Sequence, residues 1–447
     1  MPSRSSSRTA RHAGKTPMLG LPLAQPFAPA SRRTPVRAPT DTADADSVPL
    51  RSGVPSSPAS RFTLTATGER AAQHGPMDLP LVVTVAGLLL IGLVMVYSAS
   101  QFAIPSDPGY YFRHQAIWAA MGGVALLITS RVDYHVWRRW AAPGMILALA
   151  LLALVLIYGH TVYGAQRWIR LPFFAFQPSE FTKLALAVYV ADWLVRKGKG
   201  VRSFWGGLVP FAAVTGLVLA LILLQNDLGT SLVVAALAIS MFFAAGASLL
   251  QLLPTLGLGA LGVLLVSTAS PFRRARLDAF LHPLPPGCAE ATSYQICQGL
   301  ISLGSGGIFG RGLGDSVQKA GYLPNPFTDS IFAVTGEELG LIGCTLILLL
   351  FGALAFRGLR AGRRAPDAFG ALLACGITCW LVAQAAINIG SVVDAIPFTG
   401  VPLPFVSFGG SSLVTSLAAL GILLNISRFS RRPAATEQPR TGVALGG

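Results

Sequence analysis

Asp329 is the acidic residue whose position is best suited to chemistry. It lies in the segment TDSIFAVTGEELG, where a polar loop meets a predicted membrane helix. A carboxylate at the start of a helix can simply accept hydrogen bonds from free backbone amides. Alternatively, partial burial beside lipid raises the proton affinity of a carboxylate enough for general-base chemistry. The residue types alone favour the helix cap and leave the general base open.

A second polar group lies in RWIRLPFFAFQPSEFTK, which runs from Arg167 to Lys183. Glu180 and Lys183 are three residues apart and share a helix face, which predicts an ion pair at the membrane entrance. Arg167 and Lys183 could instead hold a pyrophosphate on the external side, where paired positive charge stabilises a departing anion. The residues support these two interpretations equally.

Three further acids fall in or next to predicted membrane helices. Glu337 and Glu338 follow Asp329 by two turns and more. A charged side chain at that depth must face protein or water rather than lipid. We interpret both as buried network groups that could pair with a basic residue from another helix. Asp227, in QNDLGTS, occupies a short external turn and either caps the next helix or joins the same polar site.

The stretch between Ser293 and Asp329 is rich in glycine. Glycine allows tight turns and a close approach of the backbone to a ligand, although this spacing also fits a flexible loop. No lysine and serine pair of the Walker type follows, which argues against an ordinary nucleotide-binding loop. The glycines are Gly304, Gly306, Gly307, Gly310, Gly312 and Gly314.

The composition is that of a membrane protein. Of the 447 residues, 52% are hydrophobic and 12% are charged, against roughly 25% charged in an ordinary soluble domain. The mean hydropathy is +0.59. The formal net charge of +15 could suggest nucleic acid, but the basic residues form short clusters between apolar stretches rather than one basic stripe. We therefore predict an all-α polytopic membrane protein that binds no nucleic acid.

The apolar runs approach the roughly 20 residues that cross a bilayer as a helix. They predict about ten transmembrane helices, with a large periplasmic loop at 269–329 between the seventh and eighth. The predicted spans are 79–98, 115–130, 142–158, 181–195, 207–224, 228–245, 249–267, 330–356, 369–389 and 409–426.

Basic residues predict the orientation, because short loops rich in lysine and arginine stay in the cytoplasm. Clusters around Arg138, Lys197 and Arg360 fall in loops on one side, together with both tails. Both termini are therefore predicted to be cytoplasmic. The predicted organisation is a disordered basic tail at 1–75, a transmembrane domain at 76–428 and a short cytoplasmic tail at 429–447.

The cysteines indicate no structural zinc or redox motif, because the chain has no CxxC and no Cys/His cluster. Cys288 and Cys297 share the long loop and could pair if that loop faces an oxidising compartment. Cys375 and Cys379 lie one helical turn apart in an apolar segment, which is typical of packing residues.

Taken together, these segments resemble the SEDS family (FtsW/RodA/SpoVE) from about residue 77 to 428. The resemblance rests on the order of the motifs across separate predicted helices. GLGDSVQK and GEELG are more similar to division-type FtsW members than to elongation-type RodA members. The other motifs are RW at Arg167, QPSEFTK, DLGTS at Asp227, the 274–283 stretch, TDSIFAVTGEELG and PFVSFGGSS at 404–412.

The resemblance implies a peptidoglycan glycosyltransferase of the inner membrane, acting at the division septum. Its substrate would be lipid II, and its partners would be a class B penicillin-binding protein (FtsI-like) and other division proteins. Asp329 aligns with the essential aspartate of the family, which reverses the preference for a helix cap. No nucleotide cofactor or bound metal is implied, while a divalent cation assisting the pyrophosphate stays open. The candidate pyrophosphate ligands are Arg167, Lys183, Arg274 and Lys319, with Glu180 beside them.

The chain also departs from the family pattern. Residues 324–327 read PNPF where members usually carry Pro-Glu-x-His, so a role for that glutamate or histidine does not transfer. Ser330 replaces a usual phenylalanine, and Asn226 replaces a usual proline. Three other functions stay open: a lipid II flippase, a division scaffold without chemistry, and a RodA-like role in elongation.

Overall fold

The computed structural model describes residues 75–162, 165–170, 175–268, 271–281 and 293–429. The predicted tails at 1–75 and 429–447 lie outside these ranges, except for one residue each. Cys288 lies outside them as well, whereas Cys297 is disulfide-bonded.

Helices dominate the described residues, and the predicted all-α class is confirmed. In chain order they are α1 (Leu79–Ala99), α2 (Tyr110–Arg131), α3 (Tyr134–Arg139), α4 (Ala141–Tyr158), α5 (Pro178–Lys197), α6 (Val209–Leu224), α7 (Leu228–Ala244), α8 (Leu249–Thr268), α9 (Pro271–Leu281), α10 (Tyr294–Gly306), α11 (Ile331–Arg364), α12 (Ala368–Val392) and α13 (Gly410–Arg428). A 3-10 turn and a π-helical turn (Phe204–Leu208) precede α6.

Each of the ten predicted spans falls on one of these helices. Six of the described helices are long and apolar enough to cross a membrane, counting α6 together with its π-helical turn, and α7 is a shorter apolar helix. Their outward faces carry large exposed apolar side chains such as Leu90, Ile146 and Leu224, which is the pattern of helices solvated by lipid. The number ten itself stays a prediction.

Small residues let the helices approach closely. On α13, a Cβ at Gly421 would lie 1.9 Å from Thr129 Oγ1 of α2. The Thr129 hydroxyl donates to the backbone oxygen of Ala418, 2.9 Å away. Nearby, Asn425 joins α13 to the Ser130 oxygen and the Tyr134 amide. Small residues and interhelical hydrogen bonds of this kind hold helices together in lipid, where the hydrophobic effect between them is absent.

The structure adds three helices that were not predicted, α3 and, within the predicted loop at 269–329, α9 and α10. It also adds a small sheet between α4 and α5. Its strands are β1 (His160–Val162), β2 (Ala165–Arg170) and β3 (Ala175–Phe176), antiparallel in the order β1-β2-β3. The sheet carries Arg167 on β2 and leads into Gln177, the residue before α5.

α11 is broken at Gly340, whose φ of 65° and ψ of −162° are not helical. The glycine-rich loop supplies the hydrogen bonds that the break removes. The Arg311 amide donates to the Glu337 oxygen at 2.9 Å, and the Leu341 amide donates to the Gly307 oxygen at 2.9 Å. A Cβ at Gly310 would lie 2.2 Å from the Glu338 oxygen. Close backbone approach therefore occurs here, and its partner is α11.

Replacing Gly340 by alanine should destabilise the protein strongly. Alanine at this positive φ is strained, and its Cβ would lie 2.3 Å from the Gly310 nitrogen. We expect the free energy of unfolding to fall by roughly 2–4 kcal/mol. The measurement is the midpoint of thermal unfolding in detergent, which should be lower. Gly352→Ala is the matched control, because that glycine of α11 has open space around it. Equal midpoints for the two variants would contradict close packing of the glycine-rich loop against the break in α11.

Candidate active site

Asp329 lies in the turn before α11 but does not cap that helix. Ser330 occupies the N-cap position, and α11 has no side-chain cap hydrogen bond. The Asp329 carboxylate instead accepts a hydrogen bond at Oδ1 from Thr328 Oγ1, at 2.6 Å. The helix-cap interpretation of Asp329 is therefore wrong, and the carboxylate is left for another role.

Two distant residues hold the turn that carries Asp329. Asn388 of α12, fully buried, donates from Nδ2 to the backbone oxygens of Asp329 (2.9 Å) and Val401 (2.7 Å). Ser407 Oγ donates to the Thr328 oxygen at 2.5 Å. Sequence reasoning did not single out Asn388, although a polar amide in an apolar helix is a signal for a buried functional group. Ser407 lies within the PFVSFGGSS motif.

The electrostatic environment of Asp329 is set by burial and by two arginines. Burial raises the pKa of the Asp329 carboxyl, while the Thr328 hydrogen bond and the charges of Arg167 and Arg276 oppose that rise. Burial also lowers the pKa of Arg276, against the attraction of Asp329. Gly400, with a φ of 68°, leaves space here, because a Cβ on it would lie 3.3 Å from Asp329 Oδ2.

Arg276 is the arginine that the sequence analysis missed. Its Nη1 donates to the Phe398 oxygen at 3.3 Å, and its guanidinium lies 5.7 Å from the centre of the Phe398 ring. Arg274, the candidate named instead, is exposed on the same helix. Two residues along a helix turn a side chain by about 200°. The sequence does not say which of the two faces the bundle.

Arg167 faces a second carboxylate. Its Nη1 lies 3.6 Å from Asp227 Oδ2, which also accepts a hydrogen bond from Gln177 Nε2 at 3.3 Å. Asp227 Oδ1 accepts from the Thr230 amide and so caps α7. Both interpretations offered for Asp227 are thus realised in one residue. Arg167 Nε is buried and has no hydrogen-bond partner among the described residues.

The Lys183 side chain is buried in the helix bundle and paired with Glu180. Its side chain is 1% exposed, and its Nζ lies 2.8 Å from the Glu180 carboxylate and 2.7 Å from Gln384 Oε1. The ammonium also lies 5.1 Å from the centre of the Trp380 ring. This is the ion pair that the three-residue spacing predicts. In this arrangement Lys183 has no surface to offer a pyrophosphate.

The Lys319 side chain is also buried in an ion pair. Its Nζ lies 2.8 Å from Glu338 Oε1 and 2.9 Å from Ser98 Oγ of α1. Glu338 therefore pairs with a basic residue, but that residue comes from the loop rather than from another helix. Glu337 accepts hydrogen bonds from Ser316 Oγ at 2.6 Å and from the Val317 amide at 2.9 Å. Both glutamates tie the loop to α11.

The structure thus brings Arg167, Arg276, Asp227 and Asp329 into one charged site and keeps Lys183 and Lys319 in buried ion pairs. Within the part of the chain that the structure describes, no group of three or more His, Cys, Asp or Glu side chains is placed to hold a metal ion.

A polytopic helical membrane protein with a half-buried carboxylate near two arginines is the class that this fold and site define. The family model described as cell cycle protein (FtsW/RodA/SpoVE) matches residues 79–432. The chain belongs to the FtsW/RodA/SpoVE family.

Individual relatives agree with this assignment. The chain is 42% identical over 359 residues to stage V sporulation protein E of Bacillus subtilis, covering 79% of this chain and 98% of that protein. It is 44% identical over 357 residues to the probable peptidoglycan glycosyltransferase FtsW of Trichlorobacter lovleyi, covering 78% and 93%.

Two solved structures share the fold. The first is a chain of the structure called "Structural coordination of polymerization and crosslinking by a peptidoglycan synthase complex". It matches with a TM-score of 0.66 at 28% identity, covering 80% of this chain and 99% of that one. The rod shape determining protein RodA of Thermus thermophilus matches with a TM-score of 0.60 at 28% identity, covering 80% and 98%.

Proposed function

We propose that this chain is a peptidoglycan glycosyltransferase that polymerises lipid II into glycan strands for cell division. The observation that carries the proposal is the Asp329 carboxylate, which caps no helix and lies in a half-buried site with Arg167 and Arg276. Relatives named as probable peptidoglycan glycosyltransferases, at about 40% identity, support the substrate class.

The proposed reaction is an inverting glycosyl transfer. Asp329 takes the proton from the 4-hydroxyl of the acceptor N-acetylglucosamine, whose oxygen forms a bond to C1 of the donor N-acetylmuramic acid. The bond between C1 and the pyrophosphate oxygen breaks, and undecaprenyl pyrophosphate leaves. A carboxyl whose pKa is raised by burial is a stronger base than an ordinary aspartate.

The charges of the site suit this proton transfer. Arg167 and Arg276 face two carboxylates, those of Asp227 and Asp329. When Asp329 takes the proton, one negative charge is neutralised and the site gains net positive charge. The gain coincides with the appearance of negative charge on the leaving pyrophosphate, which the arginines can stabilise. Lys183 and Lys319 keep their own carboxylates throughout.

The proposal includes a partner and a location. A class B penicillin-binding protein would crosslink the strands, a pairing supported by the similarity to a chain of a synthase complex that coordinates polymerization and crosslinking. The basic clusters support an inner-membrane orientation with both termini in the cytoplasm and the Asp329 site outside. The motifs GLGDSVQK and GEELG favour action at the septum over elongation.

Replacing Asp329 by asparagine should abolish polymer formation. The amide keeps the size of the side chain but takes up no proton, and losing a general base costs roughly 10²- to 10⁴-fold in rate. The measurement is gel detection of glycan polymer from the purified protein and labelled lipid II, with and without a class B penicillin-binding protein. Asp315→Asn is the matched control, because Asp315 is an exposed aspartate of the same loop.

Unchanged polymer from Asp329→Asn would contradict the assigned role of Asp329. A folded wild type that makes no polymer under either condition would contradict the proposed enzyme and favour the flippase or the scaffold.

Replacing Arg276 by glutamine should move the acid limb of the pH–rate profile upward. The base must be ionised, so activity falls as the pH falls through the pKa of Asp329. Arg276 holds that pKa down, and its removal therefore raises it further. Turnover should also drop, on the order of 100-fold. Arg274→Gln, on the exposed face of α9, should leave the profile in place; an equal shift in both variants would refute a specific role for Arg276.

A further inference from the structure

Three aromatic side chains lie beside the turn that carries Asp329. Tyr111 comes from α2, Phe327 comes from the turn itself, and Phe408 comes from the segment between α12 and α13. The ring centres of Tyr111 and Phe327 are 4.3 Å apart, and those of Tyr111 and Phe408 are 5.1 Å apart. We call this cluster the aromatic platform.

The platform is tied to the Asp329 turn by backbone hydrogen bonds. The Phe408 amide donates to the Phe327 oxygen at 2.9 Å, and next to it Ser407 Oγ bonds the Thr328 oxygen. Gln115, which is fully buried in α2, donates to the Ser407 oxygen at 3.1 Å and accepts from the Gly409 amide at 3.3 Å. A movement of the rings therefore moves the turn, and the platform and Asp329 form one unit.

The three rings pack on one another and keep part of their aromatic surface accessible. Tyr111 and Phe327 are tilted by 36° and partly cover each other's faces, whereas Phe408 meets Tyr111 at 88° and Phe327 at 76°. In such an edge-to-face contact one ring presents its edge, and its own faces are turned away from the other ring. All three residues are half-buried. By contrast, Phe309 in the glycine-rich loop is 81% exposed and has the character of a side chain facing lipid or solvent.

We propose that the aromatic platform is a carbohydrate subsite, on which pyranose rings of the glycan stack while its end lies at Asp329. This inference rests on the proposed function. A pyranose ring has apolar faces of C–H groups and a polar rim, so it matches half-buried aromatic rings that adjoin polar groups. Fixing the sugar next to the base also provides the orientation that a transfer between two large substrates requires. Phe327 lies two residues before Asp329 and belongs to the platform. We therefore assign it the role of placing the bound sugar next to the carboxylate.

Phe327→Ala should weaken the hold on the glycan without removing the base. We expect a roughly 2- to 10-fold rise in the apparent KM for lipid II, shorter glycan strands on the gel, and a turnover at saturation within about twofold of wild type. Phe327→Trp keeps an aromatic face and should restore strand length. Phe112→Ala is the matched control. Phe112 is a half-exposed aromatic residue next to Tyr111 on α2, but its ring packs on Tyr97 rather than on the platform.

Strand length and KM equal to wild type in Phe327→Ala would overturn the platform. So would a fall in turnover alone with an unchanged KM and no rescue by tryptophan, because that pattern indicates a structural role. Should Phe327→Ala fail to fold, as judged by its thermal midpoint, Tyr111→Leu is measured in the same way and decides by the same criteria.

A binding measurement separates this inference from the proposed function. The probe is a β-1,4-linked N-acetylglucosamine tetrasaccharide, observed by saturation-transfer NMR on the full protein in detergent. Binding that weakens in Phe327→Ala and not in Phe112→Ala supports the platform, even if wild type makes no polymer and the enzyme proposal fails. Polymer from wild type without any difference in binding or strand length between these two variants overturns the platform alone.

Discussion

The structure depends on the requirement that every charge inside the membrane bundle find a partner. A lysine in an apolar bundle is expensive unless an anion neutralises it. Lys183 and Lys319 each have a carboxylate at 2.8 Å and a further polar contact. These pairs fix α5 against α12 and the loop against α1 and α11. Arg167 and Arg276 lie next to Asp227 and Asp329, and we propose that their positive charge serves an anionic ligand.

The need for polar partners also explains why residues far away in the sequence hold the Asp329 turn. A turn with free backbone oxygens in this setting needs donors, and Asn388 and Ser407 provide them from α12 and from the segment before α13. The break of α11 at Gly340 is stabilised in the same manner by amides of the glycine-rich loop. Hydrogen bonds to backbone oxygens therefore help to set the position of the carboxylate. The chemistry that we propose relies on that fixed position.

Much of this architecture could be predicted from the sequence, because lipid demands apolar runs whose length is set by the bilayer. The predicted spans fall on helices for that reason, and the Glu180–Lys183 pair follows from helical spacing. The sheet around Arg167 was not predicted, since its strands are short and mostly half-exposed. The sequence could not predict that Arg276, rather than Arg274, enters the site, because this depends on which face of α9 meets the bundle. Asn388 and Ser407 act through backbone oxygens of other segments. A polar amide in an apolar helix and the PFVSFGGSS motif point to these two residues, but no local pattern reports which oxygens they contact.

A structure of the purified protein bound to undecaprenyl pyrophosphate, the proposed leaving group, tests the central claim most directly. The account predicts that the pyrophosphate oxygens lie within hydrogen-bonding distance of the guanidinium groups of Arg167 and Arg276, with Lys183 and Lys319 still paired to Glu180 and Glu338. A pyrophosphate held by either lysine, with its carboxylate partner displaced, would contradict the account.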